Sequence, residues 1–513
     1  MKYKPVTAVW EITMGCNLRC KHCGSSCEGA LPDELTTEEA LRLCDDIGRL
    51  GLKWITLSGG EPLTRKDWHL IAARLRQNKV VPNIITNGWY ITEEILDKAA
   101  ESGIGTFAIS LDGIRETHDF MRKEGSFDRI MAALDLAGKK NITAGIITTI
   151  NKSNIRELPA LREILLDKGV TVWQLQIGLP MGNFAENNHL LISPEQVDEI
   201  IDFTFESVND PRLSIYPADC IGYYNSREVQ VRSKAYRSEQ PLLWQGCTAG
   251  KRSFGILHNG DILGCTSIRD RQFIEGNIRD RSLTDIWSSE DTFGWSRGIT
   301  KEKLGGLCGT CKYGETCLGG CPNTRLTMNN DIHSENRYCS YNVGMRKASD
   351  KLHDIDERSL AGLGKKFAHK GELQLAELAI SKALETAPHD TDLLNYHGYV
   401  NFMLGNYSAA RKASEAVLNL DPHSVYANKG MGLSLSRLGH VDEGIRYLYR
   451  AVELTDEHFM DPYYDLALLL IENSRKDEAC EVIERGRQMS PQFAQLGDML
   501  HGMMSSMFTP VAV

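Results

Sequence analysis

The run Val6-Thr7-Ala8-Val9-Trp10-Glu11-Ile12 leads directly into Thr13-Met14-Gly15-Cys16-Asn17-Leu18-Arg19-Cys20-Lys21-His22-Cys23. A β-prone apolar stretch thus ends in a loop whose cysteines are spaced Cys-x3-Cys-x2-Cys. Three thiols fill three corners of a four-iron cluster and leave the fourth iron open to another ligand. A zinc site or unpaired core thiols is the plainer use of such a trio. His22 flanks the loop. Cys27 lies outside the spacing, either as an ordinary thiol or facing the same site.

Working outward, five more β-rich runs follow at intervals: Trp54–Leu57, Val80–Thr86, Thr106–Leu111, Ile142–Thr149 and Thr171–Ile177. Amphipathic stretches separate them. Thr36-Thr37-Glu38-Glu39 opens one helix with a capping box, and Ser193-Pro194-Glu195-Gln196 opens another with a Ser cap and Pro at the first helical position. Alternation of strand and helix predicts a parallel sheet, open or partly closed as a barrel. Each run is followed by polar or glycine-rich residues. Ser58-Gly59-Gly60-Glu61-Pro62 follows the second, Asn87-Gly88 the third, and Asp112-Gly113 the fourth, after Ser110. Asn151 follows the fifth, and Gln174 and Gln176 close the sixth. Singly, these are turn formers. Together they predict a functional rim at the C-terminal ends of the strands.

The cysteine loop and the Gly-Gly-Glu-Pro turn together resemble the radical S-adenosylmethionine (SAM) superfamily. The resemblance implies a partial (β/α)6 TIM-like barrel over residues 1–215. It implies a [4Fe–4S] cluster on the catalytic cysteines Cys16, Cys20 and Cys23, whose open iron binds the amino and carboxylate groups of SAM. Gly59, Gly60, Glu61 and Pro62 would meet the amino group. Ser110, Asp112, Asn151 and Gln176 are the further candidates for cofactor binding. Reductive cleavage of SAM would then yield a 5′-deoxyadenosyl radical that abstracts hydrogen.

Composition narrows the rest. A net charge of −10 argues against binding driven by nucleic-acid phosphates. No apolar stretch reaches membrane-spanning length, and no signal-like segment opens the chain, so a cytoplasmic protein is expected. There, clustered cysteines favour metal or redox use over disulfides. Twelve of the fourteen cysteines fall in two clusters, five in residues 16–44 and seven in residues 247–339. Cys44 sits at an apolar position of a helical pattern and reads as core.

The second cluster runs Cys247, Cys265, Cys308-x2-Cys311-x5-Cys317-x3-Cys321, then Cys339, with a hairpin turn at Asn259-Gly260-Asp261 and, over 275–278 and 282–287, a turn into a short helix. A pair of zinc ribbons is one reading. The order also resembles the SPASM extension of radical SAM enzymes, a small cysteine-rich α+β domain placed here at 216–350. That implies two auxiliary [4Fe–4S] clusters, making three in all. Cys308, Cys311, Cys317 and Cys339 would ligate the distal one, and Cys247, Cys265 and Cys321 the nearer one. Cys220 is the candidate for its missing ligand; otherwise that iron is open.

From 351 to 513 a period of thirty-four residues appears, in Gly371, Gly405 and Gly439 and again in Ala376, Ala410 and Gly444. A further copy, shifted by one, places Ala479, Gly486 and Pro491. This resembles the all-α tetratricopeptide (TPR) repeat, with a capping helix over 492–508. The expected function is radical modification of a ribosomally made precursor peptide or protein docked on these repeats. The expected outcome is an oxidative C–C, C–O or thioether cross-link, with a reduced ferredoxin or flavodoxin as electron donor. Formylglycine-type oxidation of Ser or Cys, decarboxylation of a tetrapyrrole side chain, and a zinc-binding scaffold are the alternatives.

Overall fold

The computed structural model describes residues 2–140, 142–218 and 220–507. Two compact units emerge, one formed by residues 1–309 and 313–343, the other by 310–312 and 344–513.

The first unit is organised by one ten-stranded sheet. Its strands are β1 (Thr7–Thr13), β2 (Trp54–Gly59), β3 (Val81–Thr86), β4 (Phe107–Ser110), β5 (Ala144–Ile150), β6 (Val172–Ile177), β7 (Ser214–Pro217), β8 (Ser253–Ile256), β9 (Asp261–Leu263) and β10 (Ile274–Asn277). Their spatial order is β10-β9-β8-β1-β2-β3-β4-β5-β6-β7. β1 to β7 are parallel, with helices in the crossovers, as in a partial TIM barrel. The six expected strands are all present. β5 starts at Ala144 rather than at Ile142, and β7 is additional.

Buried side chains show why these runs are strands. Ile55 and Leu57 on β2, Phe107 and Ile109 on β4, and Trp173 and Leu175 on β6 alternate into one core. The capping box expected at Thr36 forms with Glu39, and the helix Thr37–Leu50 carries Cys44 into that core.

β8 joins the sheet on the free side of β1, parallel to it, and β9 folds back antiparallel through the Asn259-Gly260 turn. Gly260 has φ +90°, a value glycine adopts at low cost. Cys247 precedes this hairpin and Cys265 follows it. The short helix Leu283–Ser288 forms where expected.

The second unit is helical. Its hairpins pair Glu357–His369 with Leu373–Leu384, Thr391–Met403 with Tyr407–Leu420, Val425–Arg437 with Val441–Leu454, and Asp461–Glu472 with Lys476–Met489. A last helix covers Ala494–Met507; Phe508 of the expected cap lies outside the described residues. The periodic glycines make the turns: Gly371, Gly405 and Gly439 have φ +73°, +79° and +93°, and Ser474 takes the same role at +61°. The small residues let paired helices touch. A Cβ on Gly432 would lie 2.7 Å from the carbonyl oxygen of Gly444 and 2.7 Å from Leu448 Cγ. Among the described residues, no helix is long and apolar enough to cross a membrane.

Gly432→Val is therefore expected to lose about 1–3 kcal/mol through overpacking. Gly362→Ala, in a helix where an added Cβ meets nothing within 4 Å, is expected to gain about 0.5–1 kcal/mol. Urea unfolding of the two variants checks both signs.

Candidate functional site

The β1 loop and the β2 turn are locked together by backbone. Gly60 N donates to Thr13 O at 2.8 Å and Glu61 N to Gly15 O at 2.8 Å. A Cβ on Gly59 would sit 2.1 Å from Thr13 O, and one on Gly60 2.3 Å from Gly15 O. Only glycines permit this approach, which brings the Gly-Gly-Glu-Pro turn against the cysteine loop. Glu61 is fully buried and braces β3. Its carboxylate accepts from Thr86 Oγ1 at 2.8 Å, Asn87 N at 2.7 Å and Leu63 N at 3.1 Å. Burial pushes its pKa up to about 7 against the pull of those donors. A cavity of about 360 Å³, small-ligand size, opens beside Gly15, Cys16, Asn17, Arg65 and Tyr90.

A buried ionic knot ties the same loop to β4 and β5. Asp112 Oδ1 accepts from Thr149 N at 2.7 Å. Its Oδ2 receives Arg122 Nε and lies 3.0 Å from His22 Nε2. Burial alone would raise the Asp112 pKa, but Arg122 and His22 outweigh it and hold the carboxyl far below the usual range. Arg122 then reaches the cysteines: its Nη1 is 3.8 Å from Cys20 Sγ and its Nη2 3.4 Å from His22 Nε2. His118, also buried, accepts from Asp112 N at 3.0 Å through Nδ1. Burial first, and Arg122 next, lower its pKa to about 4, so it stays neutral.

The other rim candidates divide by what they touch. Asn151 is buried and holds its own turn, accepting from Ser153 N at 2.8 Å. Gln176 Nε2 donates to Thr149 Oγ1 at 3.0 Å. Ser110 is half-buried at the end of β4. The Cys27 side chain hydrogen-bonds to Cys23 and lowers its pKa to about 5. Burial pushes Cys20 up to about 11, so its thiolate needs a metal beside it.

Backbone N–H groups point at sulfur in both cysteine regions. Leu18 N donates to Cys16 Sγ at 3.5 Å, Ala249 N to Cys247 Sγ at 3.5 Å, Asn336 N to Cys308 Sγ at 3.3 Å and Ile177 N to Cys220 Sγ at 3.4 Å. Such donors favour anionic sulfur and tune iron–sulfur centres. Tyr223, fully buried, accepts from Cys321 N at 3.0 Å, and its carbonyl accepts from Cys339 Sγ at 3.8 Å. Cys220, Cys317 and Cys321 all act on its hydroxyl. Cys265 and Cys311 are half-buried. Arg269 crosses to the barrel, pairing with buried Glu11 on β1 and donating to Ser25 Oγ at 2.6 Å. The donor set, the N–H···S bonds and the buried cation beside Cys20 fit iron–sulfur clusters.

Comparison with known proteins agrees. Residues 10–165 match the radical SAM superfamily and residues 247–312 the SPASM iron–sulfur cluster-binding domain. This chain is an enzyme that carries a radical SAM domain and a SPASM domain. Its cofactors are SAM and [4Fe–4S] clusters. The AdoMet-dependent heme synthase of Methanosarcina barkeri is 29% identical over 67% of this chain and 99% of its own length. The pre-heme d1 synthase of Dinoroseobacter shibae is 28% identical over 66% and 86%, and the mycofactocin maturase of Mycolicibacterium smegmatis 26% over 62% and 78%. Two solved structures share the fold at TM-score 0.51. Streptococcus suis SuiB bound to its precursor peptide SuiA is 17% identical and covers 66% of this chain and 75% of its own. The anSMEcpe structure with AdoMet and a peptide is 19% identical, over 65% and 93%.

Sequence reasoning missed Arg122, and it assigned no role to His118, although Thr117-His118-Asp119 resembles the fourth-strand segment of radical SAM enzymes. Both lie on the helix Arg115–Met121 or at its end. Their i, i+4 spacing was the available signal, since it stacks them on one helix face.

Breaking the knot at one partner strands a buried carboxylate. Arg122→Met is expected to cost roughly 3–5 kcal/mol. With Asp112→Asn already in place it costs at least about 1 kcal/mol less, a coupling read from a double-mutant cycle. His118 gives a pH signature. Its folded-state pKa of about 4 lies below the ordinary 6.5. Its contribution is therefore complete above pH 6.5 and is lost as pH falls towards 4. The stability difference between wild type and His118→Gln should shrink across that window.

Proposed function

We propose that this enzyme modifies a ribosomally synthesised peptide or protein, forming an oxidative cross-link between side chains. When bound, the reduced cluster and SAM supply a 5′-deoxyadenosyl radical. Cys16, Cys20 and Cys23 hold that cluster, and the Gly59-Gly60-Glu61-Pro62 turn and the half-buried Ser110 and Gln176 take SAM. Asp112 and Asn151 act by fixing the rim on which those contacts stand. The second cysteine region holds two further clusters. Cys308, Cys311, Cys317 and Cys339 serve one, and Cys247, Cys265 and Cys321 the other, with Cys220 as its fourth ligand. The shared neighbourhood of Cys220 and Cys321 around Tyr223 supports that last assignment. A small reduced ferredoxin or flavodoxin delivers the electron.

The observation that carries a peptide substrate is the helical unit. Its thirty-four-residue step and small-residue contacts resemble TPR repeats, whose stacks present extended binding surfaces. Large apolar side chains stand exposed on its first-of-pair helices: Tyr399, Met403 and Tyr426. Tyr426 stacks on Phe459 with ring centroids 4.7 Å apart, and Lys429 lies 5.2 Å from the Phe459 centroid. Aromatic, cation-edged faces of this kind suit a peptide rather than a compact metabolite.

A second reading, oxidative decarboxylation of a tetrapyrrole side chain, is favoured by one observation. The relatives named heme synthase and pre-heme d1 synthase match over 86–99% of their lengths.

Anaerobic full-length protein given SAM, reductant and a candidate precursor peptide is expected to release 5′-deoxyadenosine and lighten the peptide by two hydrogens. Cys20→Ala should abolish both. Tyr399→Ala/Tyr426→Ala should weaken peptide binding at least about tenfold while sparing SAM cleavage. Carbon dioxide release from a propionate-bearing tetrapyrrole, with no change in any peptide, would sink the peptide reading and establish the other.

A further inference from the structure

Arg325 is among the largest fully buried side chains of the molecule, with 1% of its surface exposed. It lies on the helix Pro322–Asn329, directly after Cys321. Its Nε and Nη1 have no hydrogen-bond partner among the described residues. A buried guanidinium normally spends those donors on carboxylates or carbonyls. Left alone, such a charge costs several kcal/mol.

The surroundings of Arg325 are sulfur. The Gly319-Gly320 turn joins Cys317 to Cys321, with φ of +77° and +66°. A Cβ on Gly319 would fall 2.9 Å from Arg325 Nη1, so the guanidinium lies against the turn between the two cysteines. Asn336 ties Cys308 into the same place: its N donates to Cys308 Sγ at 3.3 Å and its Nδ2 to Gly319 O at 3.4 Å. The groups acting most strongly on Arg325 are Cys308, Cys321, Tyr223 and Cys317, none of them a carboxylate. Under the cysteine assignment proposed above, on which this step rests, Cys308 and Cys317 belong to one auxiliary cluster and Cys321 to the other.

We infer that Arg325 is a shared counter-ion of the two auxiliary clusters, set between their ligands so that it raises the reduction potential of both. The physics is simple. A thiolate-ligated cubane is anionic, and adding an electron makes it more so. A fixed cation in a dry site favours the reduced form, because Coulomb energy grows as the dielectric falls. It also screens the repulsion between neighbouring anions. Arg325 touches no substrate in this role; it is a positioning residue for electron transfer.

The test uses the full chain with Cys16→Ala/Cys20→Ala/Cys23→Ala as background, so that only the auxiliary clusters remain. Iron analysis of that parent should give about eight irons. Fewer than about five would sink the two-cluster assignment and this inference with it. Arg325→Gln and Arg325→Lys are then compared by redox titration followed by electron paramagnetic resonance. Arg325→Gln should keep its iron while both midpoints shift to more negative potential; Arg325→Lys, which retains the charge, should shift less. If Arg325→Gln fails to load iron but Arg325→Lys loads fully, the need for a cation stands. Unchanged midpoints in a fully loaded Arg325→Gln protein overturn the inference. So does equal loss of iron in both variants, which marks a purely structural side chain.

Discussion

The radical SAM site depends on one carboxylate that has no contact with water. Asp112 lies where β4 ends, and its two oxygens collect groups from three other places: the β5 backbone, Arg122, and His22 of the cysteine loop. A loop of three cysteines has little reason of its own to stay folded. Beyond Leu18 it buries little apolar surface, and its thiols repel one another once ionised. What fixes it is attachment at both ends, to the glycine turn of β2 on one side and to Asp112 on the other. Arg122 does double duty, neutralising Asp112 and standing against Cys20. Taking the Asp112 and Arg122 charges out of water is expensive, and the gain is geometry: each group has one place to be.

That arrangement explains why the rim residues differ in kind. Asp112, Asn151 and Glu61 are buried and saturated by protein partners, so they define where the strand ends stand. Ser110 and Gln176 remain half-buried at those ends. A polar residue after a strand can thus serve the site by contact or by holding the contacts in place, and a sequence does not distinguish the two. The difference is made by partners far away in the chain. Arg122 is 102 residues from Cys20, and the loop-closure needed to join them leaves no local mark.

The strands were legible for a definite reason. Parallel strands buried on both faces appear as short apolar runs, and Trp54–Leu57 or Val172–Ile177 have no competing helical period. β7 was not legible. It is four residues long, contains Pro217 and, among the described residues, pairs only with β6, so the signals that mark an interior strand are missing. The pairing of β8 with β1 was equally hidden. The two strands are about 245 residues apart, and neither says which edge it will meet. In the helical unit the thirty-four-residue step held through three hairpins. It slipped where Thr455 to Met460 lengthen the connection, so that the next helix starts at Asp461.

Charge in this protein is best read locally. The chain as a whole is acidic, yet each cysteine region carries a buried arginine beside its sulfurs, Arg122 at Cys20 and Arg325 among Cys308, Cys317 and Cys321. Arg122 is paired with the acid Asp112, whereas at the second site Arg325 Nε and Nη1 lack hydrogen-bond partners among the described residues. The counter-ion role proposed above would complete that charge with an anion that is not an amino acid. Burial raises the Cys20 thiol pKa, and Arg325 Nε and Nη1 are left without partners among the described residues. On the assignments proposed above, loading the clusters would convert both penalties into attraction and couple cofactor binding to folding.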